Sequence, residues 1–122
     1  MAERKTIAQF AKDMEKRTRE FAVRMIRLSA KLPNTPEGRV LRTQITKSSS
    51  SIGANYREAN RSRSRADFKN KIKICEGEAS ETEFWMEIVV DLGWLSWKEI
   101  EFEYQEGKEL LAIFTAIGRK CR

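Results

Sequence analysis

At 122 residues, with 34% charged side chains and a mean hydropathy of −0.61, the chain has the size of one ordinary domain and the composition of a heavily solvated surface. No apolar run approaches the roughly 20 residues that span a bilayer, and the start, Met1-Ala2-Glu3-Arg4-Lys5, leads into amphipathic sequence rather than a secretory signal. The absence of histidine removes the commonest general base, metal ligand and haem ligand together, while Cys75 and Cys121 are too few and too distant for a disulfide framework or a zinc site.

These exclusions make a cytoplasmic, single-domain protein without cofactor or metal the expectation. Net charge is +6, but it is unevenly spread. Residues 1–32 carry nine Lys/Arg against four Asp/Glu, residues 61–74 six against one, and residues 75–111 two against eleven. Such asymmetry suits either a basic face for a polyanion or charge complementarity between helices or subunits.

Phe10, Met14, Phe21, Met25, Leu28 and Leu32 recur on one face of a first helix, predicted over about 6–32 with Thr6 or Asp13 at its start. Leu32-Pro33-Asn34-Thr35-Pro36 stops it, and Thr35-Pro36 is an N-cap followed by a proline suited to the first helical position. A second helix over about 36–60 follows the stripe Leu41, Ile45, Ser48, Ile52, Tyr56 and Ala59. The run 48–51 of four serines reads as helix rather than linker, because the stripe continues in phase through it. Small residues here, with Gly53 and Ala54 one turn later, would let a neighbouring helix come close.

The polar, basic break Asn60-Arg61-Ser62-Arg63-Ser64-Arg65 offers Ser64 as the cap of a third helix over about 65–93. Phe68, Ile72, Cys75, Ala79, Thr82, Met86 and Val89 form its heptad seam. A second stripe, Ile74, Glu78, Glu81, Trp85, Ile88, Leu92 and Leu95, is more than one bundle core can absorb, and points to oligomerisation. Gly93 ends the helix in the left-handed conformation. Ser96 and Glu99 make a capping box for a fourth helix over about 97–120, with Ile100, Tyr104, Leu111, Phe114 and Ile117 as apolar positions. Long helices joined by short loops predict an all-α, antiparallel up-down-up-down four-helix bundle.

No Ser-His-Asp, Cys-His, Walker or Rossmann arrangement appears, so no catalytic site is read. The series Glu76, Glu83 and Glu87 falls on the solvent side by phase, and without histidine no carboxylate metal site of the di-iron bundle type can be completed. The best binding candidate is the basic series Arg57, Arg61, Arg63, Arg65, Lys69, Lys71 and Lys73 around the second turn, opposed in sequence by Glu58 and Asp67. Such a series neutralises phosphates without reading bases; the alternative is a surface balanced by a neighbouring helix. Tyr56 and Phe68, the nearby aromatics, are in phase with the core, so base stacking is not expected. Asn55, Glu58 and Arg61, three apart, either fix the corner as a hydrogen-bonded network or meet a ligand. Trp85, Trp94 and Trp97 either close the bundle end or, with Ile74, Glu78, Glu81 and Ile88, anchor a partner subunit.

The stretch from Leu32-Pro33 through Ser51-Ile52-Gly53-Ala54-Asn55, Glu58-Ala59 and the Arg/Ser-rich turn to Cys75-Glu76-Gly77-Glu78-Ala79 and Leu92-Gly93-Trp94-Leu95 resembles the bacterial four helix bundle proteins encoded in intervening sequences of large-subunit ribosomal RNA genes. It is also similar to accessory proteins of diversity-generating retroelements. The resemblance implies a homopentamer and an association with RNA or DNA, or alternatively a scaffold for a reverse transcriptase or another protein. Where the family commonly reads Asn-Ile-Ala-Glu-Gly, this chain has Asn55-Tyr56-Arg57-Glu58-Ala59.

Overall fold

Four side-chain caps and one proline set the helix starts. In the computed structural model, which describes residues 6–121, Thr6 caps α1 (Ile7–Ser29), Thr35 caps α2 (Pro36–Ala59), Ser64 caps α3 (Arg65–Asp91) and Ser96 caps α4 (Trp97–Lys120). Each cap accepts from the backbone N–H three residues on, one of the donors that the first helical turn leaves unpaired. At Ser96 the capping box is complete, because Glu99 also accepts from the Ser96 backbone. That contact holds the Glu99 carboxyl below its usual range. The basic starts at Arg4 and Lys5 and the end at Arg122 lie outside the described residues.

The helix ends fall slightly inside the expected bounds. α1 stops at Ser29 rather than Leu32, with Lys31 and Leu32 making tight backbone turns before Pro33. The Arg42 guanidinium donates to the Leu32 carbonyl and so ties this corner to α2. α3 ends at Asp91, and Gly93 follows with φ +73°, a conformation costly for any residue with a Cβ.

The helices pack as antiparallel neighbours, α1 on α2, α2 on α3 and α3 on α4, forming an all-α bundle; α1 and α4 meet over a shorter stretch. The core runs along the predicted stripes in α1 to α3, with Met14, Phe21, Met25 and Leu28 from α1, Ile45, Ile52 and Tyr56 from α2, and Ile72, Cys75, Ala79, Met86 and Val89 from α3. In α4 Ile100, Leu110 and Phe114 are buried, with Leu110 taking the fully buried place and Tyr104, Leu111 and Ile117 only half-buried. The serine run lies inside α2, as its phase required. Ser48 and Ser49 are buried, and Ser48 pairs with Thr82 of α3 at 2.9 Å, so two core hydroxyls satisfy each other. Phe10 departs from the expected stripe. It is 40% exposed, on a helix that meets α4 only over a short stretch.

No described helix is long and apolar enough to cross a membrane. Among the described residues there is no group of three or more His, Cys, Asp or Glu side chains placed to hold a metal.

Candidate nucleic-acid interface

α2 ends where α3 begins, so Arg57, Arg61, Arg63, Arg65, Lys69, Lys71 and Lys73 converge on one end of the bundle. The corner is built from backbone bonds, Arg61 N–H to Glu58 and Ser62 N–H to Ala59, and from the Ser62 hydroxyl donating to Glu58. Asn55, Glu58 and Arg61 do not form a common network there. Asn55 donates back to the Ser51 carbonyl of its own helix, and Glu58 reaches across the corner to Lys71 at 3.0 Å. Asn60 also crosses between helices, donating to Glu15 of α1 at 2.9 Å.

The seven cations divide into two groups. Arg57 pairs with Glu15 at 3.4 Å, and Lys71 pairs with Glu58, which raises the Lys71 pKa by hydrogen bonding to the charged amine. Arg61, Arg63, Arg65, Lys69 and Lys73 are exposed and have no carboxylate partner among the described residues. Four residues separate Arg65, Lys69 and Lys73 in turn, so they form a row along α3 of about 6 Å per step. From the antiparallel α4, Arg119 joins Lys69 and Lys73 around a groove of about 360 Å³, with Glu76, Thr115 and Gly118 completing its lining. Arg119 had no signal in sequence beyond its place in a basic tail.

No aromatic ring lines the groove of the basic row. Tyr56 is buried against Phe114 at a ring separation of 5.4 Å, and Phe68 packs on the core. What the site offers is positive charge at the N-terminal end of α3.

The expected subunit-contact residues follow a different pattern. The three tryptophans do not form a cluster. Trp85 packs on the core beside Phe84 and donates to Glu81, Trp94 closes the bundle end, and Trp97 lies 48% exposed with its edge against Tyr104. Leu95 is buried, Ile74 and Ile88 are half-buried, and Leu92 is exposed, so the second stripe of α3 is only partly covered within the chain. Phe84, 53% exposed next to Trp85, was missed because it lies outside both stripes, on the side of α3 opposite the core seam. Glu78 is half-buried on this side, and burial with the neighbouring Glu81 raises its carboxyl pKa. Glu83 and Glu87 do not simply face solvent. Both accept from the Tyr104 hydroxyl, at 3.2 and 2.7 Å, and burial together with Glu87 raises the tyrosine pKa.

The cysteines stay apart. Cys75 is buried and donates to the Ile52 carbonyl, while Cys121 is half-buried at the end of α4 and donates to Ile117.

Fold and site together define a small helical bundle with a basic, aromatic-poor end. Residues 11–116 match the family model described as 23S rRNA-intervening sequence protein, and the chain belongs to that family. A solved structure similar to it is a protein of unknown function from the S23 ribosomal protein family of Bacteroides thetaiotaomicron. The two share 36% identity over 85% of this chain and 96% of that one, with a TM-score of 0.79. Comparison with curated proteins gives no match.

Proposed function

We propose that this protein is a non-enzymatic bundle that binds nucleic acid, structured RNA in preference, through the phosphates. The observation that carries the reading is the set of five exposed cations, Arg61, Arg63, Arg65, Lys69 and Lys73, with no carboxylate partner among the described residues. Their position supports it. Arg65, the first residue of α3, stands at the positive end of its dipole, where a cation is unfavourable for folding. The family's description, with its ribosomal RNA intervening sequences, is the reason for preferring RNA.

Binding of a structured RNA and of a duplex DNA, measured at 50 and 200 mM salt, tests this. Five phosphate contacts would give a log–log salt slope of about −4.5, a loss of about 500-fold across that range. No measurable affinity even at 50 mM would refute the reading.

A second reading, assembly through the outer face of α3, has its own observation: Phe84, Leu92 and the half-covered Trp85 and Ile88 form an apolar strip with nothing over it. Its occupants would be further copies of the chain, in a pentamer on the resemblance noted above, or a protein partner such as a reverse transcriptase. Solution mass decides between copies and none. An oligomer reduced to a monomer by Phe84→Lys is expected, and a native monomer at micromolar concentration would exclude self-assembly.

A further inference from the structure

The Lys69–Lys73–Arg119 groove is too specific in shape to be only a patch of positive field. Lys69 and Lys73 lie one turn apart on α3, and Arg119 faces them from the last turn of α4. None of the three has an ion pair among the described residues, although Glu76 lines the same groove. The floor is open because Gly118 has no side chain. A Cβ there would meet only Ile72 Cγ2 at 3.8 Å and Glu76 Oε2 at 3.9 Å, ordinary contact distances. At the other end the row of cations continues through Arg65 into the corner at Arg61 and Arg63, and away from the corner Glu76 closes it with a like charge for any phosphate.

We propose that this groove is a phosphodiester-binding track: a duplex RNA lays one strand's backbone from the α2–α3 corner along α3, with a phosphate seated between Lys69, Lys73 and Arg119. The inference rests on the nucleic-acid reading above and adds a path and a ligand form to it. A duplex is favoured over a single strand because proteins that hold single strands supply stacking aromatics, and none lines this groove. Contacts made only to phosphates predict indifference to base sequence.

The test is fluorescence anisotropy with a labelled 20-base-pair RNA hairpin and an unstructured single strand of equal length. Lys73→Ala and Arg119→Ala are each expected to reduce the salt slope by about 0.9 and to weaken hairpin binding about 5-fold at 150 mM and about 15-fold at 50 mM salt. Glu76→Gln should tighten binding, a change that a merely structural role for Glu76 would not produce. Gly118→Met, which fills the floor and leaves every charge in place, should weaken hairpin binding several-fold, with circular dichroism confirming the fold. If the wild type binds the hairpin but these four variants leave affinity and slope unchanged, the track is wrong and the broader reading stands. Tighter binding of the single strand would overturn the duplex assignment. No binding of either probe would remove both.

Discussion

At Gly53 α2 packs closely on Thr18 of α1, and one methyl group there tests how firmly the two are held. A Cβ at this position would lie 2.9 Å from Thr18 Oγ1, 3.2 Å from Thr18 Cβ and 3.4 Å from Thr18 C. Thr18 cannot turn aside, since it is buried and its hydroxyl donates to the Met14 carbonyl at 2.9 Å. Gly53→Ala must therefore move one helix off the other. Overpacking of this kind costs about 1–3 kcal/mol, and alanine in place of a helical glycine returns about 1 kcal/mol. The expected net is a loss of about 1 kcal/mol, or roughly 3–6 °C in Tm for a domain of this size. Thr18→Ala removes the 2.9 Å contact, so in that background Gly53→Ala should be neutral or stabilising, a coupling of about 1–2 kcal/mol. Thermal and urea unfolding of the four proteins, at one fixed protein concentration, measures the cycle. A Gly53→Ala protein more stable than wild type would refute the reasoning, since it would mean that α1 and α2 part at little cost.

Burial pushes the Cys75 thiol up to about 12 from an ordinary 9.0. A folded value above the unfolded one gives stability that is whole below pH 9 and lost as pH rises toward 12, and Cys75→Ala should flatten that alkaline decline; at pH 8 a thiol reagent should modify Cys121 well before Cys75. Glu78 carries a raised pKa through burial and Glu81, so its contribution is present below the ordinary carboxylate range and lost above it. Glu78→Gln should then raise Tm at pH 7 and lose that gain near pH 4, as a pair of melts will show. Arg17 donates twice to Glu106, at 2.7 and 2.6 Å, across the shortest of the helix contacts. With Arg17 partly exposed, its loss in Arg17→Ala should cost about 1–2 kcal/mol and speed amide exchange in the first half of α1 about ten-fold or more.

Local signals were read accurately from sequence wherever one residue decides the outcome. Thr35-Pro36, Ser64 and the Ser96/Glu99 box cap helices as their chemistry requires, and Gly93 takes the left-handed turn. Periodicity also kept the serine run inside α2. It could not say how closely each neighbour packs, so Phe10 reads as core and is exposed where α1 and α4 meet little. Pairings across the fold were equally hidden. Arg57 meets Glu15, and Lys71 meets Glu58 rather than solvent, which removes two of the seven cations from the open set. Arg119 joins the site only through the antiparallel register of α3 and α4, a quantity that no spacing along one helix contains. Glu83 and Glu87 illustrate the same limit, since phase assigned them to solvent and Tyr104, about 20 residues on, turned them into acceptors.

The charge order of α3 separates folding from function. Its first residue is Arg65, its last is Asp91, and its last turn holds no basic residue. Arg65 and Asp91 thus each oppose the helix dipole, while Asp67 in the first turn follows it; the dipole favours anions at the N-terminus and cations at the C-terminus by about 0.3–1 kcal/mol per charge at exposed sites. Solubility alone does not demand this order, because the same residues reversed would be as soluble and the helix more stable. Placing Arg65 where folding disfavours it is understandable if an external anion provides the balance. Arg65→Glu puts this to the test, since it exchanges an unfavourable charge for a favourable one next to the Ser64 cap. The two properties should move in opposite directions: Tm rises by a few degrees, from about 0.6–2 kcal/mol of recovered dipole energy, while RNA affinity falls by more than the 5-fold expected for one lost contact at 150 mM salt. A variant that is stabilised and binds RNA as tightly as wild type would show that the row serves something other than phosphates. A variant that is destabilised would show that Arg65 holds the corner through a contact the dipole argument omits.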